Sequence, residues 1–412
     1  MKILIITPYL ATNYGGISKI VVEQCQTLKH QDITLDIITT NANTTDKLDK
    51  PLNIWVNNNN YRVQYFDCWH RNDFIFSPSL INWVFNNVAN YDVVHSHTIF
   101  APMMSLINFA CQFRKIPYII APHGMLEPWA LAYKAWKKKL YFHLLEKPLL
   151  KMAQAIHVTA SSEDEHIKSL GFKNCVLIPN GIVRKDLEIL PDPEIFYQYF
   201  PATRNKTIIL FLGRIDPKKG LDLLAPAFAA VLNKFPQIHL VVAGPDSIGF
   251  MPTVKEYFSQ AGCLDAVTFT GMLTGSLKYA ALAVANLYVS PSYSEGFSMS
   301  VLEGMASGLP CVITTGCNFP EAANAKVAHV VDINANAIAN ALTNCLKNPQ
   351  QAKLMGKKAR EFIFDYYTWN NSAEKLTHVY TKINNSKPLR NQNKINWESF
   401  QVKAAAIKKP VK

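Results

Sequence analysis

The chain opens one local pattern twice. Lys2 to Thr7 is a short Ile-rich run. The turn Asn13-Tyr14-Gly15-Gly16 follows, and then Ile17, Ile20, Val21, Gln24 and Leu28 recur at helical spacing. At Thr207 the pattern starts again: an apolar run to Leu212, the turn Gly213-Arg214-Ile215-Asp216-Pro217-Lys218-Lys219-Gly220, and a helix from Leu221. Apolar runs without polar alternation are buried on both faces, and such strands joined by helices build parallel sheets. Ile33 to Thr39, Tyr118 to Ala121, Ala155 to Thr159, His239 to Ala243 and Val267 to Thr270 read the same way. With 412 residues, the chain is long enough for two such α/β domains. They are expected at 1–183 and 207–365, with the Pro-containing stretch 184–206 as a linker.

Composition narrows the functional classes. Eight cysteines are scattered without a C-x-x-C pair or a metal-ligand cluster, which points to a reduced compartment and no metal site. The first apolar run, Ile3 to Ile6, is too short for a signal-peptide core. No run reaches the length of a membrane span, so a cytoplasmic protein is expected. The net charge is +12, but the last 27 residues hold seven Lys or Arg and one Glu. The tail, 386–412, is therefore read as basic and disordered. No aromatic-basic platform of the kind that binds nucleic acid is present. An anionic substrate or an anionic membrane face accounts better for the charge.

The most informative stretch is 284–313. Leu287 to Ser290 reads as a strand, Pro291 to Phe297 as a turn, and Ser298 as the cap of a helix that ends at Gly308. Met299, Leu302, Met305 and Ala306 give that helix a buried side, and Cys311 to Ile313 begin the next strand. Glu295 lies in the turn and Glu303 on the helix. A helix start favours phosphate, whereas ionised carboxylates accept hydrogen bonds from hydroxyls. A turn with both features suits a ligand that is half phosphate and half polyol, which describes a nucleotide sugar. Two isolated surface glutamates would mean nothing more than solvation; the surrounding residues carry the weight.

Those residues, Pro291-Ser292 and Glu295-Gly-Phe-Ser-Met-Ser-Val-Leu-Glu303 followed by Gly304-Met-Ala-Ser-Gly308-Leu-Pro310, resemble the E-x7-E signature of retaining group 1 (family 4) glycosyltransferases. Ser298 and Gly304 stand where Gly and Ala are usual. Arg214 and Lys219 before Gly220 resemble the same family's diphosphate-binding turn, with Lys218 as a second choice. The resemblance spans roughly 1–383. It implies the GT-B fold, two doubly wound Rossmann-like domains facing a cleft, with acceptor on the N-terminal domain and donor on the C-terminal one. Tyr366, Tyr367, Thr368 and Trp369 resemble the start of the family's last helix, here 366–385, which crosses back to the first domain. The implied reaction moves a sugar from a nucleoside diphosphate sugar to a hydroxyl with retention, without a metal or other cofactor. Arg214, Lys219, Gly15 and Gly16 would meet the diphosphate, Glu303 the ribose and Glu295 the sugar. Gly244, Gly296, Phe297 and Ser298 are placed on the donor side.

Two histidines fall at equivalent places. Val93-Val94-His95-Ser96-His97 and Tyr118 to His123 are both strands running into a turn, where open α/β sheets place ligands. Imidazole titrates near neutrality and can serve a sugar hydroxyl. His123 matches the family's histidine beside the reacting carbon; His97 is assigned to the acceptor side. Residues 129–150 place Trp129, Tyr133, Trp136, Leu140 and Leu144 three to four apart, with Lys134 and Lys137 to Lys139 between. That is a basic amphipathic helix, read either as a membrane-surface element or as packed on its own domain. A lipid-linked or glycan acceptor in cell-surface polysaccharide synthesis would make the first reading useful. A silent sugar-nucleotide-binding scaffold and a GT-B phosphorylase or epimerase are the alternative functions.

Overall fold

The computed structural model describes residues 1–28, 33–44, 46–71, 74–132, 135–386, 395 and 397. The chain forms two compact units. One holds Met1–Asn180 with the helix Trp369–Asn385, and the other holds Gly181–Thr368.

The first unit is built on one sheet of eight strands: β1 (Lys2–Ile6), β2 (Thr34–Thr40), β3 (Trp55–Asn57), β4 (Arg62–Phe66), β5 (Val93–His97), β6 (Tyr118–Ala121), β7 (Ala155–Val158) and β8 (Cys175–Leu177). Their order is β8-β7-β6-β5-β1-β2-β4-β3. All neighbours are parallel except β3 against β4. The Ile-rich start sits at the centre because it can be covered on both sides. Ile3 and Ile5 face Val21 and Cys25 of the helix Gly16–Thr27 and Leu376 and Tyr380 of the last helix. Leu4 and Ile6 belong to the opposite layer with Val84, Met104 and Ile107. This is the alternation a doubly covered strand requires. The chain winds from β1 out to β4 and then crosses to β5 on the other side of β1, so the strand order reverses there. Such a reversal leaves a crevice at the carboxyl ends of the strands.

The second unit repeats the plan with β9 (Thr207–Leu212), β10 (Ile238–Ala243), β11 (Val267–Gly271), β12 (Leu287–Ser290), β13 (Cys311–Thr314) and β14 (His329–Val331). The order is β11-β10-β9-β12-β13-β14, parallel throughout. Ile209 and Phe211 pack with Leu224 and Phe228 of the helix Leu221–Leu232 and with Leu342. Here the reversal lies between β9 and β12.

Three expectations are corrected. The stretch 184–206 is not a linker: it folds into the second unit as helices Arg184–Glu188 and Glu194–Tyr199, burying Leu187, Phe196 and Thr203. Its prolines punctuate helices instead of keeping the chain extended. Residues 129–150 are not regular α-helix throughout. Pro128–Ala132 is helical, and Ala135–Tyr141, a π-helical turn Phe142–Glu146 and Lys147–Met152 follow one another without interruption. Pro148 has no N–H to give the preceding turn, and the wider turn is closed by Lys147 N–H donating to the Phe142 carbonyl. Tyr133 and Lys134 lie outside the described residues. Finally, Tyr366 ends the helix Pro349–Tyr366, and the last helix begins at Trp369, whose Nε1 donates to Glu23 at 2.7 Å. Of the basic tail only Ser386, Ile395 and Trp397 are described. Trp397 is buried on the first unit, donating from Nε1 to the Gln154 carbonyl at 3.0 Å.

Candidate active site

In the second unit the turns after β9 and β12 meet at the reversal of strand order. They are tied by backbone, Tyr293 N–H donating to the Lys218 carbonyl at 2.8 Å, and by Tyr293 Oη donating to Asp222 at 2.6 Å. This brings Lys219 onto Glu295, where Nζ donates to Oε1. Ser292 Oγ donates to the same oxygen at 2.8 Å. Glu303, nearly buried on the helix Met299–Ala306, accepts from Lys278 Nζ at 2.7 Å. The sequence offered no local signal for Lys278; only the placement of the helix Gly275–Val284 beside Glu303 reveals it.

The charges around Glu295 are unbalanced towards positive. Burial alone would raise its carboxyl, but Lys219 and then Lys218 outweigh burial and hold it below the ordinary range. Burial pulls Lys218 below the usual lysine value, and repulsion from Lys219 and Arg214 adds to that, against the pull of Glu295 and Asp216. Three cations thus crowd two carboxylates. An added anion would relieve their repulsion, and Arg214 could meet it through two parallel N–H donors.

Several assigned residues sit differently from expectation. The Phe297 ring is packed edge-on against Phe319 at 5.1 Å and tilted against Tyr367 at 5.7 Å, so its side chain serves the core. Ser298 occupies the cap position but makes no side-chain bond to the helix backbone; its Oγ lies 3.2 Å from Ser300 Oγ. Gly244 has a structural reason of its own, because a Cβ there would stand 1.7 Å from the Gly213 carbonyl oxygen. The departure at Gly304 is explained the same way: a Cβ would lie 2.7 Å from the Tyr288 ring. Gly296 is half-buried in the Glu295 turn.

In the first unit Gly15 caps the helix Gly16–Thr27, and a Cβ on Gly16 would meet nothing within 4 Å. The protein's own packing therefore does not demand glycine at that position. His97 ends β5 and His123 follows β6, on neighbouring strands. His97 Nδ1 and His123 Nε2 are 2.9 Å apart, with the rings stacked. His97 is 0 % exposed, so it contacts His123 and cannot touch an acceptor directly, contrary to its assignment. His123 remains half-buried, in a left-handed conformation with φ 53°. Burial, with His157 adding, lowers its imidazole to about 3, and burial lowers His157 to about 4.

Two carboxylates here escaped the sequence reading. Glu163 accepts from Gly124 N–H at 2.7 Å and from Thr159 N–H at 2.8 Å, pinning the His123 turn to the end of β7. Glu127 is pushed up to about 7 by burial and then by Glu163.

Comparison with known proteins agrees with this architecture. Residues 14–185 match the family described as Glycosyltransferase Family 4, and residues 198–362 match Glycosyl transferases group 1. The phosphatidyl-myo-inositol mannosyltransferase of Mycobacterium leprae is 25 % identical over 323 residues, 75 % of this chain and 78 % of that one. Two solved structures share the fold. Sucrose-phosphate synthase from Thermosynechococcus elongatus has a TM-score of 0.76 at 20 % identity, covering 93 % of this chain and 99 % of that one. Anabaena Alr3699/HepE in complex with UDP-glucose has a TM-score of 0.72 at 15 % identity, covering 92 % and 99 %. Two parallel-sheet units, each matched by its own family across most of its length, make the chain a member of the group 1 (family 4) glycosyltransferases of the GT-B fold.

Proposed function

We propose that the protein transfers a sugar from a nucleoside diphosphate sugar to a hydroxyl of a glycan or lipid-linked acceptor, with retention of anomeric configuration. The observation that carries this reading is the cluster of cations at the strand-order reversal, where Lys219 and Lys218 act on Glu295 and Arg214 acts on Lys218. A departing nucleoside diphosphate develops negative charge, and preorganised cations stabilise that charge more in the transition state than in the ground state. Arg214 and Lys219 hold the diphosphate, Gly15 and Gly16 offer backbone N–H groups to it, and Glu303 accepts from ribose hydroxyls. Glu295, kept ionised by its lysines, accepts from hydroxyls of the transferred sugar and faces its developing positive charge. His123 meets that sugar as a neutral ring. With the cations in this role, transfer needs no divalent metal, and added chelator leaves the rate unchanged. The UDP-glucose complex of the Anabaena neighbour supports a nucleotide-sugar donor.

The acceptor side is read from an exposed surface. Trp136, Leu140 and Leu144 are 71 %, 56 % and 65 % exposed, beside Lys137 and Lys139, so this stripe is not packed on its own unit. Phe109 and Phe113 of the helix Pro102–Phe113 are exposed as well. Apolar side chains among lysines fit an anionic lipid face. Among the described residues no helix is long and apolar enough to cross a membrane. With all eight cysteines free and buried, a peripheral enzyme on the cytoplasmic face, working in cell-surface glycan synthesis, is the proposed setting.

Arg214→Ala and Glu303→Gln test the donor site. Each is expected to weaken nucleoside diphosphate binding by calorimetry about tenfold or more, with the melting temperature unchanged in Arg214→Ala and lowered in Glu303→Gln, which breaks the ion pair with Lys278. Wild-type affinity and turnover in both would remove the assignment.

A further inference from the structure

Four imidazoles and one phenol form a buried cluster under the His123 turn, and the hydrogen bonds within it fix several proton positions. Gln24 Nε2 donates to Tyr380 Oη at 3.4 Å, so the phenol proton is directed to its other neighbour, His95 Nδ1, at 2.8 Å. A neutral imidazole carries one N–H, so His95 is protonated on Nε2 and donates to His157 Nδ1 at 3.3 Å. His157 then carries its proton on Nε2 and donates to the Ile178 carbonyl at 2.9 Å. Both ring nitrogens of His95 and of His157 are engaged. His95 stacks on His97 with centroids 4.5 Å apart but has no proton to exchange with it.

His97 is left with one partner. Its Nε2 is buried without a hydrogen bond, and its Nδ1 faces His123 Nε2. Two arrangements are possible. If His123 donated, His97 would need its own proton on the buried Nε2, where no acceptor stands. If His97 donates, only a lone pair is left spare at that atom. Orphaned buried N–H groups are the rarer defect, and leaving a donor unmet carries its full desolvation penalty. The second arrangement therefore holds.

From this geometry we infer that His97 is a positioning residue: by donating from Nδ1 to Nε2 of His123, it fixes His123 as the tautomer whose Nδ1–H faces outward. Nδ1 of His123 has no protein partner and is not enclosed, so it is the ring's open atom. Glu163 supports the same arrangement by holding Gly124 N–H, the next amide of the turn. His123 thus offers a hydrogen bond to an oxygen of the bound substrate and does not take a proton from it. The significance for transfer rests on the glycosyltransfer reading above; the tautomer itself does not.

The test is side-chain nitrogen NMR of the full chain labelled in histidine, with the His123 signals assigned by their loss in His123→Gln. Near neutral pH the wild-type protein is expected to show His123 protonated on Nδ1 and bare on Nε2. His97→Leu removes the donor and is expected to mix the His123 tautomers. It should lower kcat about five- to tenfold, the worth of one hydrogen bond, with the donor KM unchanged. His97→Asn, whose amide N–H can occupy the position of Nδ1, is expected to restore the tautomer and recover turnover relative to His97→Leu. An Nε2-protonated His123 in the wild-type protein, or an unchanged tautomer in a folded His97→Leu protein, overturns the inference. The wild-type spectrum decides the matter even if His97→Leu does not fold. A spectrum as expected with no transfer to any acceptor would sink the transferase reading alone.

Discussion

Lys219→Met isolates the charge balance on which the donor site depends. The substitution keeps an unbranched side chain of similar reach but removes the cation from Glu295, which is 8 % exposed and also held by Ser292. Breaking a buried ion pair from one side costs about 3–5 kcal/mol. Lys218 still attracts the carboxylate, so the lower end, about 3 kcal/mol, is expected near neutral pH. The pH dependence has a definite sign. In the wild-type protein the Glu295 carboxyl lies below 4.5, so its contribution is present above that value and lost as pH falls through the folded pKa. In Lys219→Met burial wins, and the folded carboxyl binds its proton more tightly than the unfolded one. The variant then loses stability as pH rises above about 4.5. The gap between the two proteins narrows towards about pH 3, as the wild-type carboxyl also takes up its proton, and widens to about 3 kcal/mol at about pH 7. For a unit of this size that is roughly 6–12 °C in melting temperature, read by scanning calorimetry at the two pH values. Lys219→Met with Glu295→Gln removes both charges and is expected to recover most of the gap. A loss that is equal at both pH values, or a double variant no better than the single one, would refute the reasoning.

Gly304→Ala is expected to lower stability by about 1–3 kcal/mol by overpacking the Tyr288 ring, and an unchanged thermal midpoint would contradict this. The rings of His95, His97, His123 and His157, all lowered by burial, stay neutral and are expected not to titrate in histidine NMR between about pH 8 and pH 5. A His123 signal that shifts with a midpoint near 6.5 would contradict that burial. Co-sedimentation with anionic vesicles is expected to fall with added salt and to be lost in Leu140→Glu with Leu144→Glu. Equal binding to neutral vesicles would remove the lipid surface from the proposal.

The fold was legible where local and global preferences coincide. Runs such as Lys2 to Ile6 and Thr207 to Leu212 have no polar side to present to water, so they could only become central parallel strands. Glu295, Arg214 and Lys219 could be chosen because they lie in turns at strand ends, and Glu303 because it lies on the helix that follows one of them. What stayed hidden depends on distant contacts. Lys278 meets Glu303 across 25 positions and Glu163 meets Gly124 across 39, with no local spacing to announce either pair. The apolar residues of 184–206 are scattered among prolines and charges, and only the burial of Leu187, Phe196 and Thr203 makes that segment part of a unit. His97 read like a ligand-facing residue because strand ends point to ligands, yet β6 brings His123 over it.

The helix Trp369–Asn385 supplies Leu376, Val379, Tyr380 and Ile383 to the same layer as Ile3 and Ile5. On the ribosome, the first unit must therefore wait until Trp369–Asn385 has emerged before its core can close. The middle, Gly181–Thr368, has all its strands in hand earlier. Synthesis order and folding order are inverted, against the usual tendency of amino-terminal domains to finish first. A recombinant fragment ending at Asn180 would be born with one wall missing, whereas a fragment spanning Gly181–Thr368 would contain its complete sheet.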